Sequence, residues 1–157
     1  MDKLILWALL FLGIALLLFS FIRKPLLIKN SLLAFLIKAY FSTFFGVIVV
    51  ETHTLDYPVR FLPEYFDTSI LFEYVLFPVV CVYFYQTSLR SSFLGIVGQG
   101  LLYTTAMTLI EVLCEKYTDL IEYYTWKWWY SFVTMFLLTM FVRSIMLWVD
   151  HNKLSRE

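Results

Sequence analysis

Three of the four ionisable side chains inside strongly apolar stretches of the sequence are candidates for chemistry, because a charge there is costly and often functional. They are Lys38, Glu73 and Glu111. An acid–base set of this kind can bind a cation, relay a proton or hold helices together. We expect Lys38 to pair with a carboxylate, Glu73 first and Glu111 second, with Ser42 on the same helix face as the lysine. The pair is either an architectural clasp or a titrating pair in a proton or cation pathway.

A polar stripe leads to Glu111 along one predicted helix. At 3.6 residues per turn, one narrow face carries Gly100, Thr104, Thr108, Glu111, Glu115, Thr118 and Glu122. A helix end that protrudes into water explains the last of these acids. A stripe that faces another helix explains Glu111 better, because small residues at four-residue spacing favour close packing in membranes. The candidate ion-path residues are Lys38, Glu73, Thr104, Thr108, Glu111 and Glu115.

An aromatic cluster follows the acids, from Tyr123 to Tyr130. Amphipathic rings in such a run are typical of a belt at the membrane interface. We assign Trp126, Trp128, Trp129 and Tyr130 to this belt. The alternative is an aromatic cage for an organic cation, with the acids beside it.

The composition predicts that lipid is the solvent of this chain. Hydrophobic residues make up 61% and charged residues only 15%, which a small soluble domain could not bury. Five apolar runs are long enough to cross a hydrocarbon layer of roughly 30 Å as helices. They cover residues 4–22, 31–50, 68–87, 93–114 and 128–149. Backbone groups have no water partner in lipid, so the sequence predicts an all-α, single-domain bundle over 1–157, with a kink at Pro78.

Lysine and arginine near the predicted helix ends favour an N-terminus outside and a C-terminus inside. The inner segments hold Arg23, Lys24, Lys29, Arg90, Lys153 and Arg156, and the outer segments hold Lys3, Arg60, Lys116 and Lys127. This orientation places every acid except Asp150 and Glu157 on or near the outer side. Arg143, inside the fifth run, is expected to extend to the inner headgroups.

Other chemistry has little support in the sequence. His53 stands among Glu51 and Asp56 without the spacing of a metal site, and we expect no metal or other cofactor. No basic run indicates nucleic acid, and no enzyme motif is visible. Cys81 and Cys114 are expected to be buried free thiols. The loop over 51–69, with its prolines and aromatic residues, is expected to lie on the membrane surface.

Two segments carry a resemblance to a known family. With "YPVRFLPEYFDTSILFEYVLFPVVCVYFYQTS" (57–88) and "WKWWYSF" (126–132), the chain resembles a family of small five-span membrane proteins from spore-forming, low-GC Gram-positive bacteria. The resemblance implies a cell-envelope setting. It implies no catalytic residues.

Three functional hypotheses follow. The first is a non-enzymatic, multi-pass protein of the plasma membrane, an accessory or assembly component that is oligomeric or docked on another membrane protein. The alternative is a small ion- or proton-coupled transporter or channel that uses Glu73, Glu111 and Lys38. A third is an enzyme acting on a lipid or polyprenyl substrate, with Glu73 or Glu111 as general acid.

Overall fold

The computed structural model describes the backbone of residues 1–154 and the side chains of residues 1–150. The chain is mostly helical. Its α-helices are α1 (Asp2–Arg23), α2 (Ile28–Glu51), α3 (Phe77–Ser88), α4 (Phe93–Tyr117) and α5 (Trp128–Leu154). A 3₁₀ turn (Pro25–Leu27) precedes α2, and two short strands, β1 (Leu55–Asp56) and β2 (Glu122–Tyr123), pair antiparallel. Lys153, Arg156 and Glu157, which enter the charge count, lie outside the described side chains.

Four helical stretches are long and apolar enough to cross a membrane. They are Asp2–Arg23, Pro25–Glu51, Phe93–Tyr117 and Trp128–Asp150. The third run of the sequence has a different form, because a π-helical segment (Leu71–Leu76) leads directly into the shorter α3. The amide of Phe77 closes the wide turn by donating to the carbonyl of Phe72. Pro78, which has no amide hydrogen to donate, follows at once, so the irregularity expected at Pro78 takes the form of a π-helical segment.

The π-helical segment and α3 form the centre of the bundle, with α1, α2, α4 and α5 packed around α3. Leu71, Phe72, Val82 and Phe84 are fully buried there. Glycine allows α1 to approach this centre closely. A Cβ built on Gly13 would lie 2.7 Å from Val75 Cγ1. This close approach is the packing that small residues provide between membrane helices.

Polar and apolar side chains are distributed as lipid exposure requires. Large apolar residues cover the outside, where Leu4, Phe11, Leu102, Leu109 and Leu137 are each more than half exposed. The ionisable residues Lys38, Glu73, Glu111 and Arg143 are buried instead, each no more than 5% exposed. A chain in water would reverse this arrangement.

A cap covers one end of the bundle, and we define it as residues 52–69 and 118–127. Strands β1 and β2 join its two loops, with Leu55 opposite Tyr123 and Asp56 opposite Glu122. The Val59 amide also donates to the carbonyl of Asp119 at 3.0 Å. The loop after α2 therefore pairs with the loop before α5, where the sequence led us to expect a segment lying on the membrane surface.

Polar contacts and packed side chains close the opposite end. Asp150 accepts from Asn30 Nδ2 at 2.7 Å and from the Tyr85 hydroxyl at 3.1 Å. Arg143 Nη2 donates to the carbonyl of Ser88 at 3.4 Å, with the guanidinium 5.6 Å from the centre of the Tyr85 ring. Arg143 thus points into the bundle, which corrects the expectation that it extends to headgroups.

Candidate functional site

A cavity of about 490 Å³ lies between α2 and α5, in the half of the bundle nearer the cap. Most of its wall is apolar and aromatic. Its polar lining residues are Lys38, Ser42, Tyr57, Glu73, Glu111, Trp126, Ser131 and Thr134. A small-molecule site has this character: several hundred cubic ångströms, largely apolar, with a few placed polar groups.

Glu73 reaches the cavity from the π-helical segment. Its Oε2 accepts from the Ser42 hydroxyl on α2, and its Oε1 accepts from the Tyr57 hydroxyl of the cap at 3.5 Å. Gly46, one turn beyond Ser42, leaves the space for this carboxyl group. A Cβ built on Gly46 would lie 2.7 Å from Glu73 Oε1 and 2.9 Å from its Cδ. The wide helical turn and the glycine together position the carboxylate.

Replacing Gly46 with alanine is therefore expected to displace the Glu73 carboxyl and destabilise the fold by about 1–3 kcal/mol, the usual cost of overpacking. Gly98→Ala on α4 is the matched control, because no atom lies within 4 Å of a Cβ built there. The control should be neutral or more stable by up to about 1 kcal/mol, as alanine is the better helix former. Unfolding in detergent, monitored by tryptophan fluorescence, measures the stability of both variants. Equal stability of the two variants would contradict the packing argument.

Glu111 reaches the same cavity from α4. Its Oε1 accepts from the Tyr123 hydroxyl at 2.7 Å and from the Ser131 hydroxyl at 2.6 Å. Ser131 in turn accepts from Trp126 Nε1 at 2.7 Å. Glu111 Oε2 is buried and has no hydrogen-bond partner among the described residues. One oxygen thus accepts from two donors, while the other is buried and accepts no hydrogen bond among the described residues.

Lys38 lies deeper, on α2, and donates to Thr139 Oγ1 on α5 at 3.3 Å. In the described part of the chain, no carboxylate oxygen lies within the 4.0 Å of a salt bridge to its Nζ. The direct pair expected with Glu73 or Glu111 is therefore not formed. Lys38 still lines the cavity that both carboxylates line. The three groups share one low-dielectric space without touching.

The polar stripe of α4 is internal where the helix is regular. Thr104 and Thr108 are buried, and Gly100 packs against Phe136 and Met140 of α5. Glu115 is only half-buried and does not line the cavity. Because α4 ends at Tyr117, Thr118 and Glu122 leave the stripe and belong to the cap.

Two tyrosines of the cap act as neutral donors to these carboxylates. Burial, together with the nearby charges of Glu73 and Glu111, raises the pKa of Tyr57 well above its usual value. Burial and the Glu111 carboxylate likewise raise the pKa of Tyr123. Both phenols therefore keep their hydroxyl protons at physiological pH and can donate them in hydrogen bonds.

The expected aromatic belt divides into two sets. Trp128, Trp129 and Tyr130 are exposed, as interfacial residues would be. Trp126 instead faces inward, lines the cavity and binds Ser131. Tyr57 and Ser131 were not among the sequence candidates. The sequence pattern that could have identified Ser131 is its spacing of eight residues from Thr139, which places both residues on one face of α5.

Comparison with protein-family models, curated proteins and solved structures finds no match to this chain. No relative therefore supplies roles for the residues around the cavity. Their chemistry follows from the geometry alone: two buried carboxyl groups, one ammonium group and several neutral donors around an apolar space.

Proposed function

We propose that the chain is a plasma-membrane protein with five spans, its N-terminus outside and its C-terminus inside. The continuous helical path over residues 70–88 supports a third span, because its centre is buried among four helices apolar enough to cross a membrane. In this orientation the cap faces outward. The resemblance to small five-span proteins of Gram-positive bacteria supports the same setting.

The function that this site supports best is an ion- or proton-coupled transporter. One observation carries the proposal: Glu73, Glu111 and Lys38, which come from three different helical elements, line one cavity in the bundle. Ionisable groups inside a membrane are costly, and those that face a common cavity commonly mark an ion or substrate path.

Charge counting assigns a distinct role to each group. The ammonium group of Lys38 offsets one carboxylate, and Glu73 is the nearer candidate because its partner Ser42 lies one turn from Lys38. Glu111 is then the carboxylate in excess, and it has the unpartnered oxygen. A single proton or a single monovalent cation at Glu111 makes the cavity neutral. We propose that the protein couples the movement of a proton to that of a monovalent cation by exchanging them at Glu111.

The polar stripe of α4 gives the accessory role little support. Because Thr104, Thr108 and Glu111 face the interior of the same chain, that stripe offers little surface to another protein. Co-purification of a membrane partner in mild detergent, without flux by the purified chain, would favour the accessory role.

Flux measurements in proteoliposomes test the proposal. Purified protein is reconstituted with a pH-sensitive or cation-sensitive dye inside, and gradients of H⁺, Na⁺ and K⁺ are imposed in turn. We expect wild-type protein to dissipate at least one gradient, and Glu111→Gln to reduce that rate to the rate of protein-free liposomes. Glu122→Gln is the control, since it removes the same charge from an exposed position of the cap. Each gradient is imposed with and without a lipophilic organic cation on the opposite side, and no flux of any of the three ions under either condition would contradict the proposal.

A further inference from the structure

We infer that the cavity takes a lipophilic organic monocation, which reaches it sideways from the membrane through the gap between α2 and α5. This inference rests on the proposed exchange at Glu111 and names the class of molecule exchanged for the proton. The walls, the charge and the access route of the cavity each support it independently.

The walls suit an apolar cation better than a metal ion. Aromatic rings from α2, α3, α5 and the cap surround the cavity: Phe41, Phe45, Tyr57, Phe77, Trp126 and Phe141. Ring faces attract organic cations, and tryptophan does so most strongly. A small inorganic cation would need several oxygen ligands to replace its water shell. The described residues contain no group of three or more acidic, histidine or cysteine side chains placed to hold a metal ion.

The charge of the cavity selects a cation over an anion or a neutral lipid. With Lys38 offsetting Glu73, the carboxylate of Glu111 leaves one negative charge in an apolar space. The acceptor that lacks a donor is Glu111 Oε2, and Glu111 is 3% exposed. A cationic ligand supplies the missing positive charge, whereas an anion would add to the repulsion.

The access route follows from which ends are closed. The cap covers one end through Leu55, Tyr57 and Trp126, and the core around Tyr85, Val142 and Met146 fills the other. The side between α2 and α5 is different, because the lining residues Phe45, Thr134 and Leu137 are exposed there. Below them, the rings of Phe41 and Phe141 meet edge to face at 5.2 Å. The opening therefore faces lipid, where a lipophilic cation concentrates.

Binding exchanges one proton for one cation: a protonated Glu111 releases its proton as the organic cation arrives, and the cavity stays neutral. Binding should then strengthen as the pH rises until Glu111 is fully ionised. The titratable groups around Glu111 come from four parts of the chain: Lys38 on α2, Glu73 on the π-helical segment, Tyr57 and Tyr123 in the cap, and Cys114 on α4. Ser131 and Thr134 of α5 line the same space and do not titrate.

Two probes of the same shape and opposite charge test the inference. Tetraphenylphosphonium and tetraphenylborate are titrated into the full-length protein in nanodiscs, with tryptophan fluorescence and calorimetry as readouts. We expect saturable binding of the phosphonium alone. Glu111→Gln should weaken it by about thirtyfold or more, because a buried charged partner is lost. Glu122→Gln should bind as wild type does. Empty nanodiscs give the background of partition into lipid.

The outcomes separate this inference from the proposed function. Ion flux that depends on Glu111, without saturable phosphonium binding, would overturn the ligand class and leave the transporter standing. Phosphonium binding that depends on Glu111, without proton flux even when a phosphonium gradient is imposed, would support the site and contradict transport. Equal binding of both probes, or binding that survives Glu111→Gln, would overturn the charge argument itself. Circular dichroism of each variant verifies that it is folded.

Discussion

Lys38→Met is expected to destabilise the protein by about 3–5 kcal/mol, whereas Glu73→Gln should cost less because Glu111 can still compensate Lys38, and the double variant should return close to wild-type stability. Removing one member of a buried charge pair leaves the other uncompensated, but replacing both by neutral residues of similar size is often neutral or stabilising. Lys38 and Glu73 share one cavity without direct contact. Their coupling is therefore electrostatic and acts through a medium of low dielectric constant. The double variant loses the weak bond from Lys38 to Thr139 and one of the two hydrogen bonds that Glu73 accepts, about 1 kcal/mol each.

Chemical or thermal unfolding in detergent measures this double-mutant cycle. Lys127→Met and Glu122→Gln provide the control cycle, because both side chains are exposed in the cap and should change stability by less than about 0.5 kcal/mol each. Additive losses in the double variant would show that the two interior charges do not compensate each other. In that case Lys38 would contribute only its hydrogen bond to Thr139. The stability measurements would then not tell whether Lys38 compensates the charge of Glu73 or that of Glu111.

The sequence was enough to identify the interior charges. Lys38, Glu73 and Glu111 stand out because an ionisable group in an apolar run must turn away from lipid, and one cavity does hold all three. The sequence could not give their contacts. Whether Lys38 meets a carboxylate depends on how α2 is rotated relative to the π-helical segment and α4, and helix periodicity does not fix how helices are rotated against each other.

The cap shows a second limit of the sequence. Strands β1 and β2 have two residues each, so they carry no alternating pattern that would predict pairing between residues so far apart in sequence. The direction of Trp126 depends on that pairing, because the carbonyl of Thr54 accepts from the Trp126 amide at 3.0 Å. Composition alone places Trp126 and Trp128 in the same belt. The hydrogen bond to Thr54 holds Trp126 against the cavity, whereas Trp128 is exposed.

The π-helical segment was also beyond the reach of the sequence, although Pro78 marked the place. A proline in a helix predicts an irregular turn without saying which of the possible forms it takes. Here the turn widens before the proline, and the widened segment contains Glu73. The buried carboxyl group of Glu73 therefore lies on an irregular piece of backbone, as is frequent for π-helical turns at functional sites.

A locked cap should leave ligand loading unchanged, while a bulky residue at the side opening should impair it. Asp56 and Glu122 are partners across the two strands, and opposite residues of an antiparallel pair lie within reach of a disulfide. The variant with Asp56→Cys and Glu122→Cys locks the cap when oxidised and serves as its own control when reduced. Cys81 and Cys114 are buried and stay out of this chemistry.

At the side opening, Thr134→Trp should lower phosphonium affinity or loading rate by about tenfold or more, because the new ring fills space that the ligand crosses. Val133→Trp is the matched control, since Val133 is exposed on α5 and does not line the cavity. Stopped-flow tryptophan quenching compares phosphonium loading by the wild type, the cap variant in its oxidised and reduced forms, Thr134→Trp and Val133→Trp. Slow loading by the oxidised cap variant that recovers on reduction, with Thr134→Trp loading normally, would place the access route through the cap. The gap between α2 and α5 would then be a lipid-facing groove without a role in loading.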